Sequence, residues 1–407
     1  MDFLPVATVA TAVLLFCSLV YTAFAIERVA NFRRRLKRKQ SGYFSPPVTL
    51  LKPMCGLEVG LAENLRSFCR QNYDDFQIVF GVRDRKDPAI AVINAIREEF
   101  PERDIELVID DRVLGSNYKI SNLIHMFHAA KHDFLIVSDS DMRVDPDYIR
   151  TVVAPFEREE VGATTCLYSG SVHGGLASRL GAVFINDWFL PSALIPMAFG
   201  EIAFCFGATM AIRRRALEKI GGFDSLVDII ADDYMLGQRT VEQGYKIAVV
   251  PYVVDNVVFE RGLKSLFLHE LRWGRTIRSV QPAGYALSFI TDMFAVSLIL
   301  AVMTFFATSS LPLALAPVVA SLALRYALHH MVSVTIAPQG HYSPWLLPLR
   351  DLLSFAVRIC VYYGNKVHWR QQVLVVKPHG VSRKFVHPLR DHAVRHEKHP
   401  VSQPTDF

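Results

Sequence analysis

Apolar positions crowd the two ends of the chain, while the middle alternates between short apolar runs and charged segments. Phe3 to Ile26 runs without a charge, long enough for one helix to cross the ~30 Å of a bilayer's hydrocarbon. It has no basic start, and no small-residue cleavage site precedes the charged run after it, so it is expected to stay as an uncleaved anchor. The C-terminal third holds three more apolar stretches, Tyr285 to Thr308, Leu311 to Ile336 and Trp345 to Tyr363. The first contains Asp292, the second Arg325, His329 and His330, and the third Arg350, Asp351 and Arg358. A charge at the bilayer centre costs ~2.5–3.5 kcal/mol, so these side chains are expected to face protein or water. The third stretch is expected to lie in the interface or to re-enter.

The middle follows a different rhythm. Val48 to Pro53 is an apolar strand stopped by proline, Phe76 to Val82 is β-branched and alternating, and Ile105 to Ile109 and Phe134 to Val137 are further strands. Helical spacing covers Leu61 to Cys69, Ala89 to Phe100 and Lys119 to Ala130. Strands alternating with helices predict an α/β domain, a mostly parallel sheet with helices on both faces. Ligands of such sheets bind beyond the carboxyl ends of the strands. Leu176 to Ile212 is unusually apolar yet carries Asp187 and Glu201. It fits either a membrane-facing amphipathic path for a lipid or plain core packing.

Composition sharpens the membrane reading. Hydrophobic residues make up 51% of the 407 residues and net charge is +5, with a mean hydropathy of +0.24. The positive charge concentrates in Arg28, Arg33, Arg34, Arg35, Lys37, Arg38 and Lys39, directly after the first apolar stretch. No nucleic-acid motif accompanies this run, and its position marks a juxtamembrane anchor. Positive charge after the first span puts the central domain in the cytoplasm and the N-terminus outside. Four full spans would then carry the C-terminus outside, yet Lys377 to His399 is rich in Lys, Arg and His, which favours the cytoplasm. One C-terminal segment is therefore expected not to cross fully. The six cysteines, Cys17, Cys55, Cys69, Cys166, Cys205 and Cys360, form no CxxC pair and no zinc spacing, which suits reduced thiols.

Five sets of residues carry candidate chemistry. Asp84 and Asp87 follow a strand, where a carboxylate can accept hydrogen bonds from a base edge or a ribose; an Asp before Pro is also a common turn residue. Asp139-Ser140-Asp141 ends another strand, and two acids so spaced suit Mg²⁺ or Mn²⁺ bridging substrate phosphates. Asp232-Asp233 opens a helix, where acids favour the dipole or supply a general base. His269-Glu270-Leu271-Arg272-Trp273 precedes the C-terminal apolar region; Arg272 suits diphosphate oxygens, Trp273 an acceptor wall or a membrane interface, and His269 a satisfied helix position. Gly115-Ser116-Asn117-Tyr118-Lys119 begins a helix, so its backbone amides with Asn117 and Lys119 could meet phosphate, or form a capped glycine turn.

In this order the motifs resemble the family-2 glycosyltransferases of GT-A fold, whose pattern is D, DxD, (E/D)D and Q/RxxRW beside membrane helices. Within that group the chain is similar to the ceramide glucosyltransferase branch, family 21. The likeness rests on Leu51-Lys52-Pro53, Asp87-Pro88-Ala89, Gly115 with Asn117 and Lys119, Asn122-Leu123, Asp139-Ser140, Ile230-Ala231-Asp232-Asp233-Tyr234 and Arg272-Trp273. Ser67 to Gln71, Thr165 to Tyr168, His269 to Trp273, Arg275 to Arg278 and Pro282 to Tyr285 look most like the bacterial hopanoid-biosynthesis members. The likeness runs from Pro47 to Tyr285, with the membrane ends alike only in layout.

The resemblance implies an inverting enzyme that moves a sugar, N-acetylglucosamine in hopanoid-type members, from a UDP-sugar to a membrane lipid alcohol such as bacteriohopanetetrol. Transfer of glucose to ceramide is the alternative, and a non-catalytic lipid-binding scaffold is the reading from another class. It assigns Asp84, Asp87, Asn117 and Lys119 to the nucleotide-sugar, Asp139 and Asp141 to a divalent metal and the diphosphate, Asp233 with Asp232 to base catalysis, and Arg272, Trp273 and His269 to closing the site. The wider family has Gln or Arg at His269, and the animal ceramide enzymes lack an acid at Asp141, so metal dependence is expected here. The implied organisation is an anchor over 1–27, a basic linker over 28–45, a cytoplasmic GT-A domain over 46–283, membrane helices over 284–364 and a basic tail over 365–407, in a multi-pass protein of the cell inner membrane.

Overall fold

A computed structural model describes residues 3–37, 44–336, 344–369 and 372–384. Eight strands form its main sheet: β1 (Val48–Met54), β2 (Phe76–Val82), β3 (Asp104–Ile109), β4 (Phe134–Ser138), β5 (Met142–Arg143), β6 (Val161–Val172), β7 (Thr209–Arg213) and β8 (Lys246–Val258). Their spatial order is β3-β2-β1-β4-β7-β6-β8-β5. The first half is parallel, with Leu51 in register with Val79 and Val137. Beyond it β7 runs antiparallel to β4 and β6, while β6 and β8 pair in parallel. The sheet is thus more mixed than strand–helix alternation predicts, because β7 returns from a long excursion instead of a helical crossover.

Successive residues of a strand point to opposite faces, and the core divides accordingly. Leu50, Ile78, Phe80 and Ile136 pack with the helices Leu61–Cys69 and Ala89–Glu99 on one face. Leu51, Val79, Leu135 and Val137 pack with the helices Tyr118–Phe127 and Asp232–Glu242 on the other. Proline does not end β1, which pairs with β2 through Met54. Pairing of β1 with β4 stops at Leu51, so the missing amide of Pro53 disrupts no second ladder.

The first helix runs from Phe3 to Leu36 without a break at residue 27. Arg, Lys and Leu are good helix formers, and Ala25, Val29 and Phe32 are buried against Leu328 and Val332. That partner helix, Leu311–Thr335, forms an antiparallel hairpin with Met293–Thr308 across Ser309, whose φ of 49° permits the tight turn. Arg38, Lys39 and the tail beyond Lys384 lie outside the described residues.

Among the described residues three helices are long and apolar enough to cross a membrane, namely Pro5–Leu36, Leu176–Ala198 and Leu311–Thr335, and Pro282–Thr291 with Met293–Thr308 is a broken span or a re-entrant loop bent by 63°. Leu176–Ala198 connects β6 to β7 of the same sheet, so it enters and leaves on one side and is not a full span. Most of it is buried. Its Leu190, Ala193 and Leu194 pack with Ala25 and Val29, so core packing describes it better than a lipid-facing path.

A small sheet of β9 (Lys366–Trp369), β10 (Gln372–Val376) and β11 (Ser382–Lys384) follows the last long helix, Leu346–Val361. It docks on the central domain: Ile230 N donates to Gly380 O at 2.8 Å and Ser382 N to Asp228 O at 2.8 Å. Residues 366–384 therefore share a side with the main sheet, which demands an even number of crossings between them. The hairpin of Met293–Thr308 and Leu311–Thr335 offers two, and Leu346–Val361 packs on Ala177, Leu180, Leu266 and Leu271 of the domain's helices. Most of the charges within the apolar stretches face protein, Arg358 with Asp292 at 2.5 Å, Arg325 with Asp351 at 3.0 Å and His329 with Asp187 at 2.8 Å, while His330 is exposed.

Candidate active site

The turn after β4 carries the first acids, and buried side chains hold its backbone. Lys52 of β1 is wholly buried under it, and its Nζ donates to the Asp139 carbonyl at 2.6 Å. Asn64 Nδ2 donates to Ser140 O at 3.3 Å, and Val257 N to Asp141 O at 2.9 Å. Ser140 Oγ donates to Glu58 at 2.6 Å and Asn256 Nδ2 to the Asp141 carboxylate at 3.0 Å. Burial pushes the Asp141 carboxyl up to about 7, and the nearby Glu58 and Asp139 add to it. Burial likewise drives the Lys52 amine down to about 7 against the pull of Asp139, Asp141 and Glu58.

The second acids arrive from across the sheet. Asp232 and Asp233 begin the helix Asp232–Glu242, and Lys119 from the start of Tyr118–Phe127 bridges the two sets. Its Nζ is 2.7 Å from Asp139 Oδ1 and 3.6 Å from Asp232 Oδ2. Burial opposes its charge, but Asp139 and Asp232 outweigh that and hold the amine above its ordinary value. Asp233 is half-buried, and its Oδ1 accepts from Tyr234 N at 2.8 Å. Burial and the neighbouring Asp232 push its carboxyl up to about 6 against the pull of Lys119. A carboxylate with that value is ionised at neutral pH yet basic enough to take a proton. Gly207 passes close by; a Cβ there would lie 3.1 Å from Asp233 Oδ2.

Helix Leu263–Val280 adds the third set. His269 Nδ1 meets Glu260 Oε1 at 2.7 Å and its ring lies 4.2 Å from that of Trp273. Burial lowers the imidazole's affinity for a proton, against the pull of Glu260. Trp273 continues a row of rings, with Phe184 at 5.9 Å and Trp188 stacked on Phe184 at 4.8 Å. Arg272 lies over Trp369 at 5.7 Å. Tyr168 of β6 stacks on Phe189 at 4.4 Å and links this set to the acids. Burial raises its phenol, Asp233, Asp141 and Asp139 add to the rise, and Arg272 opposes it.

The structure therefore gathers Asp139, Asp141, Lys119, Asp232 and Asp233 beyond the carboxyl end of β4, with Arg272 acting on the same Tyr168 as Asp139, Asp141 and Asp233. It does not bring Asp84 into this cluster: that residue is exposed, and its carboxylate accepts from Lys86 N at 2.8 Å in its own turn. Asp87 spends its oxygens on Gly56 N at 2.8 Å and Ala89 N at 2.9 Å, tying the loop after β1 to a helix start. Asn117 is a buried cap whose Oδ1 accepts from Ile120 N at 3.1 Å and whose Nδ2 donates to Ile229 O at 2.6 Å. Ser116 N donates to Asp228 and Asn117 N to Val227 O, so two of the amides expected to meet phosphate are engaged within the chain. Beside them is a cavity of about 310 Å³ between Leu114, Ser116, Asp228 and Arg383.

Sequence reasoning missed Lys52, Glu58, Asn64, Tyr168 and Asn256 as parts of the site. Only Lys52, a lysine inside an apolar strand, and Tyr168, in the motif Thr165 to Tyr168, carried a signal.

No set of three or more His, Cys, Asp or Glu is arranged to hold a metal among the described residues. Mg²⁺ and Mn²⁺ are commonly held by one or two carboxylates with substrate phosphates. Asp139 and Asp141 supply that number of hard donors, two residues apart just past the end of β4.

Residues 10–381 match the model of glycosyl transferase family 21. The chain belongs to that family. It is 23% identical over 371 residues to ceramide glucosyltransferase 3 of Caenorhabditis elegans, covering 89% of this chain and 79% of that protein. It is 21% identical over 288 residues to ceramide glucosyltransferase 1 of the same organism, covering 70% of this chain and 62% of that protein, less than two thirds of its length. Among solved structures, the mannosyltransferase PcManGT from Pyrobaculum calidifontis in complex with GDP-Man and Mn²⁺ is similar, with a TM-score of 0.50 and 17% identity over 86% of this chain and 99% of that one. The fold is thus GT-A-like, with apolar helices at both ends. As a member of family 21 the chain is a glycosyltransferase, which sets aside the scaffold reading.

Proposed function

We propose that this glycosyltransferase moves a sugar from a UDP-sugar to the hydroxyl of a membrane lipid, with inversion at the anomeric carbon. The observation that carries the reading is Asp233, a carboxylate held near neutrality beside Lys119 and Asp232, in a domain braced against membrane helices. Asp233 accepts the proton of the lipid hydroxyl as its oxygen attacks the anomeric carbon from the face opposite the diphosphate. The bond from that carbon to the diphosphate oxygen breaks, and Lys119 and Arg272 take up the charge on the leaving group. A divalent cation held by Asp139 and Asp141 would supply further neutralisation there. Asp232 and Asp139 keep Lys119 charged and in place, and Trp273 with His269 walls the acceptor side. Asp84, Asp87 and Asn117 act on the nucleotide by shaping the loops around it.

Within this class we favour transfer of N-acetylglucosamine to bacteriohopanetetrol, on the hopanoid-like motifs His269 to Trp273 and Pro282 to Tyr285. Transfer of glucose to ceramide has equal support from the names of the relatives. The basic run after the first span favours a cytoplasmic domain on the inner membrane. The deciding experiment offers purified enzyme both lipids and both UDP-sugars with Mn²⁺ or Mg²⁺, and identifies products by mass. A glycosylated hopanoid supports the first reading and a ceramide product alone the second. Absence of any glycolipid in every combination counts against lipid glycosylation itself.

Two further outcomes follow from the site. Protonated Asp233 cannot accept a proton, so kcat/KM is expected to fall about tenfold per unit as pH drops below about 6 and to level off above about 7; a pH profile of the purified enzyme checks this. Lys52→Met removes the donor to the Asp139 carbonyl, a loss of about 1–3 kcal/mol. It is expected to raise KM for the sugar donor more than it lowers kcat, as steady-state kinetics will report.

A further inference from the structure

The first helix continues past its apolar stretch with a basic face that the sugar-transfer site does not use. Ala30, Arg33, Arg34 and Lys37 follow the spacing of one helical face. With Met331 of Leu311–Thr335 they line a groove of about 340 Å³, a volume in the range of ligand sites, ~300–1,000 Å³. The helix is fixed on both sides of this face. Val29 and Phe32 are buried against Leu328 and Val332, and Arg35 donates to Val249 O of β8 at 3.3 Å. Arg28 is held by the Glu27 carboxylate, whereas Arg34 of the groove donates to the neutral Asn31 Oδ1 at 2.8 Å.

We propose that this groove binds the phosphodiester head group of an anionic glycerophospholipid. Three cations on one rigid face complement a phosphate, while Ala30 and Met331 give the groove apolar walls suited to glycerol and the first acyl carbons. Depth fits as well. The uncharged run ends at Ile26, and Ala30 follows ~6 Å further along the axis, within the roughly 5–8 Å head-group layer of one leaflet. Towards the other end the same helix exposes Val6, Val9, Val13, Phe16 and Val20, an apolar surface that a lipid's acyl chains can meet within the membrane. A free phosphate gains nothing from the apolar walls Ala30 and Met331, which favours the lipid as occupant. Basic pockets between membrane helices bind acidic head groups on the same physical grounds.

The test reconstitutes the full chain in nanodiscs of phosphatidylcholine with a minor fraction of phosphatidylglycerol, then measures by mass spectrometry which lipid stays bound after detergent extraction. The wild type is expected to retain phosphatidylglycerol well above its bulk ratio. Arg33→Gln with Arg34→Gln is expected to lower that enrichment about tenfold. Met331→Trp keeps every charge but fills the groove, and is expected to lose the enrichment as well. Arg28→Gln, outside the groove, is expected to retain it. Equal losses in Arg28→Gln and the double variant, with none in Met331→Trp, would mean diffuse surface attraction and overturn the proposal. Displacement of the lipid by soluble glycerol 3-phosphate would overturn it in favour of a free phosphate ester. Unchanged gel-filtration profiles show that the variants remain folded.

Discussion

Asp233→Asn is expected to lower kcat by about 10²–10⁴ while the protein still folds and binds its donor. The substitution keeps the shape of the side chain, and the Oδ1 that accepts from Tyr234 N remains an acceptor. What disappears is the ability to take a proton. With the proposed role of Asp233 confined to the acceptor hydroxyl, KM for the nucleotide-sugar is expected to change little, and the acid limb of the pH profile should vanish with the activity. Asp232→Asn makes an informative companion. Asp232 lies 3.6 Å from Lys119 and accepts a long bond, 3.5 Å, from Asn117, so its loss should disturb Lys119 and donor binding first. If Asp233→Asn retained full kcat, the base would have to be another group, and Asp232 would be examined next.

Glu270→Ala should be the most destabilising single change outside the catalytic cluster. Glu270 and Arg350 are both buried and meet through two bonds of 2.6 Å. They join helix Leu263–Val280, which carries His269, Arg272 and Trp273, to Leu346–Val361. Arg350 also donates to Ser354 Oγ and lies over the Phe184 ring at 5.2 Å. Removing one partner of such a pair leaves a buried charge uncompensated, which costs about 3–5 kcal/mol. Thermal unfolding in detergent should show the loss directly. Replacing both residues, Glu270→Leu with Arg350→Met, should recover much of it, because two apolar side chains need no counter-charge. A double variant no more stable than Glu270→Ala would mean that the bonds to Ser354 and the packing on Phe184 matter more than the ion pair.

The strands and helices of the first half of the domain were legible because each has a clear period. Phe76 to Val82 alternates, Ala89 to Phe100 repeats every three to four residues, and each ends at a turn signal. The acids were legible as chemistry because carboxylates at the ends of apolar strands are costly unless used or solvated. Their supports were not. Asn64, Asn256 and Tyr168 are ordinary polar residues whose partners lie 76, 115 and 21 positions away, at Ser140, Asp141 and Phe189, and no local pattern encodes such a pairing. Asp84 and Asp87 looked equivalent to the other acids in sequence. Only the geometry distinguished two carboxylates spent on backbone amides from those facing Lys119.

Sequence alone determined the apolar spans, the basic run after the first of them, the α/β rhythm and the identity of the acidic motifs. These depend on local composition and period, which hydrophobic burial and backbone geometry convert into elements with little regard to distant residues. Tertiary structure decided three other matters. It returned β7 antiparallel to β4, placed Leu176–Ala198 inside the protein, and docked β9 to β11 on Ile230 so that the described C-terminal residues share the domain's side. Each of these depends on contacts between segments far apart in the chain, whose energies arise only when the folded surfaces meet.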